Sequence, residues 1–155
     1  DTGLRAILMD LTESAAASRP LFDGEPHKGI MDVLAGNATL SQVVRTDRYS
    51  DLAVIPFGLT DPESAIAHID QLPGILDALE DVFDVLLIET GPSDAEGLKK
   101  LDSDEAEIVV SLIEAETDLV RSGVRDLHDA GFRNFTVATC AEITQDTQAR
   151  EEAVA

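Results

Sequence analysis

Apolar residues along this chain follow two rhythms. Short, mainly apolar stretches at 4–9, 52–56, 84–89, 108–113 and 135–138 read as strands buried in a sheet, each bounded by turn or polar residues. Between them the spacing is helical. Leu72, Ile75, Leu76, Leu79 and Phe83 share one face of a predicted helix over 70–83, with Pro73 in its first turn. Leu119, Val120, Val124 and Leu127 do the same over 117–130, and Gly131 supplies the stop. A short helix is expected from Gly29 to Gly36. A second is expected after Thr39, with Leu40, Val43 and Val44 inward. Residues 11–26 read as loop and short helix. Strands alternating with helices predict an α/β fold: a mainly parallel sheet flanked by helices.

This pattern fills 1–140 as a single expected domain, followed by a polar tail over 141–155. Asp1-Thr2-Gly3 resembles the end of a helix, so further sequence is expected upstream. No apolar run approaches the ~20 residues of a membrane span, and no signal peptide is visible. The expectation is a soluble, cytoplasmic chain, able to form the cytoplasmic face of an inner-membrane protein.

Composition narrows the functions. Of 155 residues, 31 are acidic and 11 basic, a net charge of -20 that repels phosphate backbones and argues against a nucleic-acid partner. The functional counterpart of such acidity is a basic partner surface; the plainer one is solvation. Aromatic residues make up only 4%, so the core must be aliphatic, with Met9 and Met31 as fillers. The single cysteine, Cys140, excludes an internal disulfide and reads as a buried structural thiol. His27, His68 and His128 lack metal-ligand spacing and read as exposed; Lys99 and Lys100 read as a solvated pair.

Two acids fall at predicted strand ends: Asp10 after Ile7-Leu8-Met9, and Glu89 after Val85-Leu86-Leu87-Ile88. In open α/β sheets ligands bind beyond the carboxyl ends of strands. An acid there can hold Mg²⁺ through water or orient an attacking water; equally, it can simply cap a strand.

Around these acids the chain resembles bacterial tyrosine kinases of exopolysaccharide export, within the broader MinD- and ParA-like group of phosphate-loop ATPases. Ile7-Leu8-Met9-Asp10-Leu11-Thr12-Glu13-Ser14 is similar to the family's strand and Asp-x-Asp-x-Arg motif. Leu21-Phe22 and the block from Gly29 to Gly36 follow in order. Leu52 to Gly58 resembles the strand ending in Pro-x-Gly, and Phe83 to Pro92 resembles the Walker B strand. The likeness covers roughly 4–138. It departs from the family at several points. The Gly-rich phosphate loop is absent and would lie upstream, so the expected fold is phosphate-loop-ATPase-like without its first strand. Thr12 stands for the second Asp, Ser14 for the Arg, Glu89 for the Walker B Asp, and Gly91-Pro92 for Pro-Pro; no tyrosine cluster follows, Tyr49 being the only tyrosine.

The resemblance implies a vestigial nucleotide–Mg site at Asp10, Thr12 and Glu89. No catalytic residue, no resident metal and no cofactor are expected, with Mg-ATP returning only if an upstream loop exists. The implied function is a non-catalytic, kinase-like domain in regulation or assembly of exopolysaccharide export. Its partners would be proteins, either copies of itself or a membrane-anchored export component. The alternative is a fragment of an active kinase whose phosphate loop lies upstream. A phosphoacceptor receiver domain is a third reading, disfavoured because Glu114-Ala115-Glu116-Thr117 follows the fourth run without the required Lys.

Overall fold

A computed structural model describes residues 3–91, 95–99, 101, 106–112 and 117–139. They fall into two compact units, 1–101 and 102–155. The end expected for the domain at 140, the buried thiol of Cys140, and the positions of Lys100, Ile113 and Pro92 lie outside the described residues.

The first unit is built on a sheet of four strands: β1 (Ala6–Asp10), β2 (Arg45–Thr46), β3 (Ala53–Ile55) and β4 (Val85–Glu89), in the order β2-β3-β1-β4. β1 runs parallel to both β3 and β4, and the two-residue β2 joins antiparallel at one edge. Four helices accompany the sheet: α1 (Ile30–Leu34), α2 (Leu40–Val43), α3 (Pro62–Ile66) and α4 (Leu72–Glu80). The sequence pattern gives no sign of β2 or α3; both are too short to show a period. A 3₁₀ turn, Arg19–Phe22, occupies the stretch read as loop and short helix.

The core follows from strand alternation. Ile7 and Met9 of β1 and Ile55 of β3 point to one face. They pack there with Ile30, Met31 and Leu34 of α1 and with Leu72, Leu76 and Leu79 of α4. Leu86 and Ile88 of β4 pack on the same cluster at their margins. The opposite face is covered at Val54, which has no exposure, but not at β4. Val85 and Leu87 are register partners of Ala6 and Leu8, and they are 36% and 52% exposed. The run at 84–89 reads as a buried strand, and this is corrected: only one face of β4 is covered within this unit. An apolar run reports that a strand is apolar, not that helices reach both of its faces.

Two glycines fix the approach of α1 to β3. Gly29 lies so close to Pro56 that a Cβ would sit 1.8 Å from its carbonyl oxygen. Ile30 and Met31 then donate to the carbonyls of Pro56 and Phe57 at 2.9 Å each. Gly58, at φ 121°, has room for no Cβ either, since Asp32 Oδ2 would be 2.6 Å away. Asp32 is the hub of this joint. Its Oδ2 accepts from Gly29 N and Leu59 N, both at 2.9 Å, and its Oδ1 accepts from Thr60 Oγ1 at 2.8 Å. Burial opposes ionisation of Asp32, but these donors and Lys28 outweigh it and hold its pKa below the ordinary carboxylate value. α2 closes as its residues suggest, Gln42 Oε1 accepting from Thr39 N at 2.9 Å.

A short helix, α5 (Ala95–Leu98), follows β4 in the same unit. The second unit contains β5 (Ile108–Leu112) and β6 (Phe135–Thr139), paired in parallel, with α6 (Thr117–Asp129) between them in sequence. This is one crossover unit. Among the described residues Leu127 and Phe132 are its buried hydrophobic side chains, and Gly131 takes φ 102° where the helix stops. Among the described residues no helix is long and apolar enough to cross a membrane.

Candidate functional site

β1 and β4 end side by side. Asp10 and Glu89 are register partners in the parallel ladder, and the chain after them stays joined: Leu11 N donates to Glu89 O at 2.8 Å. The two acids expected at one sheet edge are therefore brought together at the backbone. Their side chains then go separate ways.

Asp10 is completely buried. Residues 11–18 wrap around its carboxylate through a turn in which Ala15 takes φ 51°. Thr12 donates to Oδ1 twice, from N at 2.9 Å and from Oγ1 at 2.6 Å. Ser18, also buried, donates to Oδ2 twice, from N and from Oγ, both at 2.8 Å. A carboxylate offers about four lone-pair sites, and all are taken by the protein's own donors. Burial works against the charge, but the bonds from Thr12 and Ser18 prevail and lower the pKa of Asp10 below its ordinary value. Thr12 is held in turn, its Oγ1 accepting from Ala16 N at 3.1 Å.

Glu89 is exposed, and its Oε1 accepts from Gly91 N at 3.0 Å. Gly91 has φ 63° and faces Thr12, whose Cγ2 would lie 3.2 Å from an added Cβ. The resemblance places a proline here. Proline can adopt neither that φ nor donate to Glu89, so the turn after β4 differs in backbone as well as in sequence.

Ser18 escapes a reading by motif, and Asp32, though inside the Gly29–Gly36 block, is given no role by it. Ser18 lies eight residues beyond Asp10 with no fixed spacing to betray it. Asp32 carries a local signal, an acid at the third position of a helix opened by glycine, which a capping analysis detects. His68 and His128 are exposed as expected, whereas His27 is half-buried and packs edge-on against Phe22 with ring centroids 5.0 Å apart. Among the described residues no three His, Cys, Asp or Glu side chains group as a metal site. The resident group of phosphate-loop ATPases, Mg-ATP, needs an acid with free lone pairs and a ring of amides for phosphate. Asp10 offers no free lone pair, so its carboxylate as placed does not fit that role.

A parallel α/β sheet with paired acids at adjoining strand ends defines the chain as phosphate-loop-ATPase-like in fold. Among solved structures, it is similar to the kinase domain of the Escherichia coli tyrosine kinase ETK, at 18% identity and a TM-score of 0.72 over 88% of this chain and 55% of that one. It is similar also to the VpsO kinase domain, at 17% identity and a TM-score of 0.73 over 90% of this chain and 72% of that one. The septum-site protein MinD from Pyrococcus horikoshii, solved with Mg-ADP, matches at 22% identity and a TM-score of 0.59 over 86% and 56%. The chain thus spans little more than half the length of the ETK and MinD chains. No protein-family model and no curated protein matches the sequence.

Proposed function

We propose that this chain is a non-catalytic, tyrosine-kinase-like domain that acts through protein contacts in the regulation or assembly of exopolysaccharide export. The observation that carries the reading is the closed carboxylate of Asp10. Four donors from Thr12 and Ser18 occupy the position from which an acid would hold Mg²⁺. Opening that shell would strand buried donors, at about 1–3 kcal/mol each. The kinase likeness in fold supplies the family context, and the exopolysaccharide link rests on the sequence resemblance.

A second reading keeps one supporting observation. The sheet face bearing Leu8 and Leu87 is half open within residues 3–101, as it would be if further elements of a longer kinase covered it. One experiment tests the first reading. Calorimetry with Mg-ATP is expected to show no binding by the chain up to about 1 mM, an affinity worth only about 4 kcal/mol. Binding in the micromolar range would overturn the non-catalytic reading.

A further inference from the structure

A cavity of about 400 Å³ opens within the first unit beyond the carboxyl ends of β1, β3 and β4. That volume is within the usual range for ligand sites, roughly 300–1,000 Å³. Its wall is mainly apolar: Leu11, Met31, Phe57, Ile66, Ile69 and Leu72 line it, and among the described residues Glu13 is the one ionisable side chain that does. Asp10, Thr12 and Glu89 do not line it, but their neighbours Leu11, Glu13 and Thr90 do, so it adjoins the strand-end acids without containing them. The apolar surface continues outward. Ile66 is 59% exposed at the wall, and Leu59, in the loop joining Phe57 to Pro62, is 57% exposed. An uncovered apolar surface of this kind marks an interaction site.

Charge selects the occupant. Between Arg48 and Lys99 the chain contains no Lys or Arg, and this stretch supplies most of the wall. Asp61, Glu63 and Asp70 stand exposed beside the lining positions Pro62, Ile69 and Leu72, and Glu13 is exposed at the wall itself. Lys99 stands exposed beside the lining residue Leu98, but the acids beside the wall outnumber it, so an anionic ligand meets net repulsion here. A cationic one gains attraction and faster encounter, with the chain's net charge of -20 behind it.

We propose that this cavity docks a segment of a partner protein in which apolar side chains are flanked by Lys or Arg. The apolar side chains fill the pocket, and the cations meet Glu13 and the acids beside it. This rests on the reading of the chain as an interaction domain and names its surface.

The test is methyl NMR on the full chain, titrated with a synthetic peptide of interleaved Leu and Lys. Controls replace every Leu with Ser, or every Lys with Glu. The Leu–Lys peptide is expected to shift the methyls of Met31, Ile66, Ile69 and Leu72, with affinity falling about tenfold or more between about 0.05 and about 0.5 M salt. Ile66→Asp, at an exposed position, is expected to abolish the shifts, and Glu13→Gln to weaken binding about threefold or more. Equal shifts from the Ser–Lys peptide would reduce the effect to charge alone and overturn the proposal. Equal shifts from the Leu–Glu peptide, or none from any peptide up to about 1 mM, would also overturn it. So would concentration-dependent shifts of the chain alone at these methyls, which would assign the pocket to a second copy. None of these outcomes touches nucleotide affinity, so failure here is distinct from failure of the non-catalytic reading.

Discussion

Asp10 has the position of a metal-holding acid and the bonding of a structural one. Its pKa is lowered in the folded chain because hydrogen bonds to the charged form outweigh burial. A group depressed on folding contributes stability above its unfolded pKa, about 3.9 for Asp, and loses it as pH falls through the folded value. Asn at this position keeps the volume but turns an amide donor toward Thr12 or Ser18, whose own donors then lack acceptors. Asp10→Asn is therefore expected to cost on the order of 1–3 kcal/mol at neutral pH. The gap from the parent should narrow as pH falls below about 3.9, since the parent then loses the same charge. Urea unfolding across that range checks both parts. A constant gap would show that the carboxylate's charge is not what the loop grips.

At the scale of elements, β1 and β4 share one covered face, while the other face is open at β4. The covered side holds Ile7, with no exposure, under α1 and α4; the open side holds Leu87, just over half exposed. Truncating a buried Ile removes transfer energy and leaves a cavity, so Ile7→Ala is expected to cost about 2–5 kcal/mol. Leu87→Ala is expected to stay within about 0.5 kcal/mol, as surface changes do. Chemical denaturation of the two variants compares them directly. Equal losses would mean that the Leu87 face is covered in solution, by a second copy or by further elements. The run at 84–89 shows why such faces elude a pattern reading: apolar continuity is identical whether a strand has two packed faces or one.

For the whole molecule, 31 acids against 11 basic residues set a field that no local motif records. Only a few ion pairs offset it among the described residues, such as Arg5 with Asp84 and Arg48 with Asp23, all at exposed positions. Exposed pairs contribute little, typically up to about 1 kcal/mol, so net self-repulsion prevails. Salt is expected to raise the melting temperature between about 0.01 and about 0.3 M NaCl as the screening length shrinks. A flat or falling melting temperature would show that attractive pairs dominate instead.

The hydrophobic pattern alone determined the fold class, the five main strands, the two longest helices, and the placing of Asp10 and Glu89 at strand ends. Periodicity reports which residues avoid water, and strand ends follow from where the apolar runs stop. The parallel pairing that sets Asp10 beside Glu89 agrees with what the order of elements predicts. Other features were decided only by tertiary structure. The grip of Ser18 on Asp10 spans an irregular loop, and that of Asp32 on Leu59 and Thr60 spans distant segments; neither leaves a period. The short elements β2, α3 and α5 form because longer neighbours give them something to pack against, not because their own residues propagate a pattern. The apolar cavity is likewise a property of five separated segments meeting, and its wall residues read along the chain as ordinary core. Sequence specifies the surfaces each element wishes to hide; only the packed chain decides which of them remain in contact with water.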